Sequence, residues 1–175
     1  MSSSKTPWKK RMEIPDPQVR DAAEQYDDAR QLLHQQPPGS GILLPLLNTA
    51  AVAVELFLKS LSSELIHVPV DSFNGLSTVH AAPERTHRLV ELFDNIEDDL
   101  RSQLESSFAG HTTSQSGTTL RDLLLQYEGL FAVSRYPFET ATDIKKYPLM
   151  PLMELSTFLR KFVADLEPID RIEWP

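Results

Sequence analysis

The chain has 175 residues, 41 % of them hydrophobic and 24 % charged, with no cysteine and a formal net charge of -8. That length suits one domain with a continuous core, and the absence of cysteine excludes disulfides, zinc–thiolate sites and cysteine nucleophiles. Residues 1–12 carry Lys5, Lys9, Lys10 and Arg11 and no acid, so the remainder bears -12; such a body repels nucleic acid over most of its surface and leaves only a local basic cleft for any RNA contact.

The N-terminal stretch MSSSKTPWKKRM has no apolar run of signal-peptide length, and residues 1–14 read as a flexible basic tail. Asp16-Pro17 is a helix start signal, an N-cap followed by proline at the first helical position. Val19, Ala22, Ala23, Tyr26, Ala29 and Leu33 recur on one face of this first helix, and QQPPGSG ends it.

A second helix is expected from about Ile42–Pro45 to Leu65, with Leu47, Ala51, Val54, Leu58, Leu61 and Leu65 as its stripe. Between Ala50 and Leu58 only Glu55 is polar, so this helix reads as central and buried. The run ILLPLLNTAAVAVELFLKSL is interrupted by Pro45, Asn48 and Glu55 and is too polar and short to span a bilayer. A soluble, cytoplasmic protein without membrane contact is expected.

Residues 67–83 read as a long loop. A third helical segment starts near Glu84, with Leu89, Leu92, Phe93, Ile96, Leu100 and Leu104 on one face and a restart at Asp94/Glu97 as a capping pair. GHTTSQSGT is a polar loop. Thr119 with Asp122 resembles a capping box for the next helix, whose stripe runs Leu120, Leu123, Leu124, Tyr127, Leu130, Phe131 and Ser134 until Pro137 stops or kinks it. A last helix from about Leu149 to Leu166 carries Leu152, Leu155, Leu159, Phe162 and Leu166. Residues 168–175 read as a C-terminal tail that docks through Ile169, Ile172 and Trp174. No strand pattern competes. The expected fold is all-α, an antiparallel up-and-down bundle of four to five helices over residues 15–167.

The polar residues on apolar faces carry the functional question. A lone buried carboxylate is costly unless paired, and Lys59, one turn on, reaches Glu55 along the helix. Arg135 continues the core-facing stripe of its helix and is expected to point inward or line a cleft, with Glu139 a turn beyond and His87 at the start of the third helical segment. Two readings compete: a buried ion network of Glu55, Lys59, Arg135 and His87 that fixes the packing, or a cleft whose arginine grips phosphate with its planar fork. His80 and His87 with Glu84 between them do not have a metal-ligand spacing, so no metal or cofactor is expected. His34, His67 and His111 are expected to be exposed. HExxH, P-loop, GxGxxG and GxSxG motifs are absent.

The segments AAVAVELFLKSL (50–61), THRLVELFDNI (86–96) and FAVSRYPFE (131–139) together resemble the HEPN superfamily of small helical domains, over roughly residues 16–166. The family's small-x-x-Glu-Leu-x-Leu-Lys, His-x-Leu-x-x-Leu and Arg-Tyr-x-x-Glu patterns fall on Glu55 and Lys59, on His87, Leu89 and Leu92, and on Arg135, Tyr136 and Glu139. The resemblance implies an up-and-down bundle, commonly a homodimer, and in many members a metal-independent endoribonuclease of toxin–antitoxin or defence systems. Active members carry arginine, four to six residues, then histidine. Here no histidine follows Arg135 at that spacing, and Arg30/His34 and Arg85/His87 do not fit either. The resemblance therefore implies a non-catalytic module that binds a protein partner, such as a nucleotidyltransferase or an antitoxin, or a nucleotide or RNA. The alternatives are an endoribonuclease with an unconventional site of Arg135, His87 and Glu139, and a purely architectural bundle.

Overall fold

The chain is described from a computed structural model over residues 10–70, 75–81, 86–111, 117–137 and 143–173. Among these residues the elements run β1 (Lys10–Ile14), α1 (Pro17–His34), α2 (Leu43–Ser60), β2 (Glu64–Val70), β3 (Gly75–Ala81), α3 (Leu89–Asp94), α4 (Asp98–Ala109), α5 (Leu120–Tyr127), α6 (Leu130–Arg135), α7 (Leu149–Asp165) and β4 (Ile169–Glu173), with a short 3-10 turn at Ile144–Lys146.

The body is the helical bundle that the periodicity predicts. Its axis is α2. Leu46, Leu47, Ala50, Ala51, Ala53, Val54, Phe57 and Leu58 are all buried there, because α1, α3, α6 and α7 each pack on this one helix. Burying one large side chain such as Phe57 stabilises by about 2–3 kcal/mol. The small residues Ala50, Ala51 and Ala53 leave room for close neighbours. By length and composition α2 could cross a membrane, but 56 % of it is buried against the same chain, and a core helix passes the same test.

The α1 start is built as its sequence dictates. Asp16 caps it by accepting from the Val19 amide at 3.0 Å, with Pro17 at the first helical position. The Asp16 amide in turn donates to the Ser60 carbonyl at 2.7 Å. The beginning of α1 therefore sits at the end of α2, and the two run antiparallel. At the start of α5, Thr119 and Asp122 form the expected capping box.

Four expectations are corrected. Residues 67–83 are not simply a loop: β2 and β3 pair antiparallel from Glu64↔Ala81 to Val70↔Gly75. The segments read as tails at 1–14 and 168–175 contain β1 and β4, which pair over Lys10↔Glu173 to Ile14↔Ile169. The result is a four-stranded sheet of order β3-β2-β1-β4 beside the bundle. The five-residue strands β1 and β4, paired with each other across most of the chain's length, leave almost no local signal. The helix expected through Leu120–Ser134 is two helices, because Gly129 adopts a left-handed conformation at φ 82° and turns the chain between α5 and α6. The break between α3 and α4 is real, but Asp94 does not help cap α4. Its carboxylate pairs with Arg121, and the Glu97 side chain makes no capping hydrogen bond at the start of α4.

Candidate functional site

The sequence-predicted residues gather where α2, α3 and α6 meet. Glu55 projects from the buried stretch of α2 and its side chain is only 7 % exposed. Lys59, one turn along, donates to Glu55 Oε1 at 2.6 Å. His87, just before α3, places Nδ1 2.9 Å from the same oxygen. A carboxylate oxygen can only accept, so Nδ1 of His87 carries a proton and donates, which leaves Nε2 outside this bond. The His87 side chain is otherwise 64 % exposed.

The chain of contacts continues outward. The His87 ring stacks on Phe131 with centroids 5.4 Å apart and planes 14° from parallel. The Arg135 guanidinium lies 5.0 Å from the Phe131 centroid and 5.7 Å from that of Tyr136. Arg135 and Tyr136 are both exposed. Of the two expectations for Arg135, inward-pointing or lining a cleft, the exposure removes the first: α6 ends at Arg135, and the last residue of a six-residue helix has no core layer left to enter. Arg135 is also no part of the ion network, which joins Glu55, Lys59 and His87. Glu139 and Glu84 lie outside the described residues.

Beside Glu55 and His87 is a crevice lined by Ala51, Leu89, Tyr127, Gly129 and Phe131, with a volume of about 10 Å³, room for about one water molecule. Burial raises the Tyr127 hydroxyl well above its ordinary pKa, and that hydroxyl donates to the Pro148 carbonyl at 2.6 Å. The crevice thus offers a carboxylate already bonded twice and a phenol held neutral. It has no space for a substrate to reach them. Among the described residues no group of three or more His, Asp or Glu side chains is placed to hold a metal ion.

No protein-family model, curated protein or solved structure matches this chain. The site is therefore read from its own geometry.

A second polar cluster went unpredicted. Asp27, on α1, is fully buried and accepts from Arg30 Nε at 2.6 Å, Gln31 Nε2 at 2.8 Å, Ser156 Oγ at 2.6 Å and Arg160 Nη1 at 2.9 Å. Burial alone would raise its pKa. The hydrogen bonds from Arg30, Ser156, Arg160 and Gln31 outweigh it and hold Asp27 at about 2. Arg30 adds a bond to Thr157 Oγ1 at 3.3 Å and a contact to Met153 Sδ at 3.6 Å. Arg160 is also bonded to Asp28 at 2.5 Å, and its pKa is raised first by Asp28 and then by Asp27. The cluster corrects the α1 stripe: Ala23, Asp27 and Arg30 face the core, whereas Tyr26 is 43 % exposed. The only available signal was an Asp and an Arg three residues apart on one helix, a pattern equally common on solvated faces.

Proposed function

We propose that this chain is a non-catalytic, HEPN-like helical module of the cytoplasm. On this reading it binds an anionic partner, RNA, a nucleotide or an acidic protein surface, through the face that carries His87, Phe131, Arg135 and Tyr136. One observation carries the reading: Arg135 is exposed and lies against two aromatic rings, while Glu55, the residue best placed to act as a base, is bonded to Lys59 and His87 beside a crevice of about one water. A guanidinium held against aromatic rings keeps its charge and its donors available to phosphate or carboxylate. The missing arginine-to-histidine spacing supports the same conclusion. A homodimer, or a complex with a nucleotidyltransferase or an antitoxin, fits this module role, and placement in a toxin–antitoxin or defence system is part of the proposal.

The ribonuclease reading has one observation in its favour. His87 keeps Nε2 out of the Glu55 bond, and both His87 and Arg135 contact the Phe131 ring. An imidazole and a guanidinium around one ring are the groups that proton transfer and phosphorane stabilisation at a ribose phosphate need.

The test combines anisotropy titration of labelled single-stranded RNA with a cleavage assay in chelator, for the wild type, Arg135→Ala and His87→Ala. The expected result is salt-sensitive binding without cleavage, weakened in Arg135→Ala. Cleavage lost in both folded variants would establish the ribonuclease instead. RNA binding unaffected by Arg135→Ala would remove this face from the proposal.

A further inference from the structure

A much larger cavity lies elsewhere, and shares no residue with the Glu55 crevice or the Arg135 face. It is a groove of about 790 Å³ between α4 and α7, within the range of small-molecule sites. Its floor is aromatic. Phe158 is nearly buried at 7 % exposure, with the His111 ring 5.3 Å and the Phe162 ring 6.4 Å from it, centroid to centroid. His111, expected to be exposed, is half-buried through these contacts. The α4 wall presents Ser106 and Ser107, whose short side chains leave the space above the floor open.

Four surface arginines are held in ion pairs. Arg88 pairs with Glu91, Arg101 with Asp98, Arg121 with Asp94 and Arg160 with Asp28. Lys161 and Asp165 both line the groove. They stand one helical turn apart, yet neither has an ion-pair partner among the described residues. Their Cβ atoms, one turn apart at about 6 Å, set an ammonium-bearing and a carboxylate-bearing side chain beside an aromatic floor. That arrangement complements a molecule with a carboxylate, an ammonium and a flat ring.

We infer that this groove binds a small zwitterion bearing an aromatic ring, the chemistry of a free aromatic amino acid or short aromatic peptide. The ring lies over Phe158, Phe162 and His111. Lys161 takes the carboxylate and Asp165 the ammonium, and the serine hydroxyls meet the remaining polar atoms. A neutral or purely anionic ring compound would leave one of the two charges unanswered.

The test uses L-tryptophan, tryptamine and indole-3-propionate as probes, with calorimetry and ligand-observed NMR on the full chain. L-Tryptophan is expected to bind best. Removing its carboxylate or its ammonium should weaken binding about fivefold, the size of one exposed ion pair. Lys161→Ala should weaken L-tryptophan about fivefold and leave tryptamine unchanged, Asp165→Ala should weaken L-tryptophan and leave indole-3-propionate unchanged, and Phe162→Ala should weaken all three. Lys161 and Asp165 are exposed, so their variants keep the fold. Absence of L-tryptophan binding at 10 mM on the order of magnitude of weak ligands, or equal binding of all three probes, overturns the proposal.

Discussion

Two polar clusters sit on the bundle, and they are built to opposite plans. The Asp27 cluster is closed: four donors from α1 and α7 converge on one fully buried carboxylate. The Glu55 cluster is graded. Its carboxylate is buried, its lysine 17 % exposed, its histidine 64 % exposed, and its arginine is reached only through a ring. A closed network can only hold two helices together. A graded one both anchors α2 to α3 and delivers a cation–aromatic face to solvent. The difference shows which cluster can meet a partner.

The sharpest way to break the comparison is Asp27→Ala. It strips the neutralising charge from Arg30, whose side chain is 5 % exposed. Removing one partner of a buried pair typically costs about 3–5 kcal/mol, and that loss is expected in urea unfolding at neutral pH. A loss under about 1 kcal/mol, the size of an exposed pair, would mean that water reaches Arg30.

Acid provides the next test. The folded pKa of Asp27 is lowered from 3.8 to about 2, so the unfolded chain takes up its proton first as pH falls. The stability that Asp27 contributes is fully present above about pH 4 and is lost as pH falls through about 2. The shift corresponds to about 2 kcal/mol. Unfolding curves of the wild type and Asp27→Asn between pH 5 and 2 should converge by that amount. Parallel curves would show that Asp27 is not held ionised by its donors.

Glu55→Ala should cost less than Asp27→Ala, about 1–2 kcal/mol, because Lys59 and His87 are free to turn to water once the carboxylate is gone. Thermal unfolding of the two variants side by side ranks them. A larger loss at Glu55 would make the graded cluster the structural one.

The sequence told these clusters apart only in part. Glu55 was visible because it interrupts an unbroken apolar stretch, and Lys59 because helical geometry places it one turn away. Asp27 was hidden, since α1 carries polar residues throughout and its true buried face includes an acid and a base that neutralise each other. The helices were legible wherever a cap or an apolar stripe marked them, as at Asp16 and Thr119. Gly129 was not read as the break it makes, because Leu130 and Phe131 continue the α5 stripe in sequence. β1 and β4 were illegible for another reason: β1 finds its partners at residues 65–66 and 169–173, and no local pattern encodes pairing across such separations. Arg135 was expected to point inward or line a cleft because the core-facing stripe was extended to the residue at which α6 stops.

That residue gives the smallest expected effect on stability and the clearest separation of the two plans. Exposed cation–aromatic contacts contribute about 0.5–1 kcal/mol. Arg135→Ala should therefore lower stability by less than about 1 kcal/mol while it weakens binding of an anionic partner and flattens its salt dependence. Arg135→Lys refines the point. It keeps the charge but loses the planar fork that lies on Phe131 and Tyr136, so it should recover the salt dependence and only part of the affinity. If Arg135→Ala instead unfolded the chain as readily as Asp27→Ala, Arg135 would belong with the closed network, and the face it shares with Tyr136 would be a cover over the core.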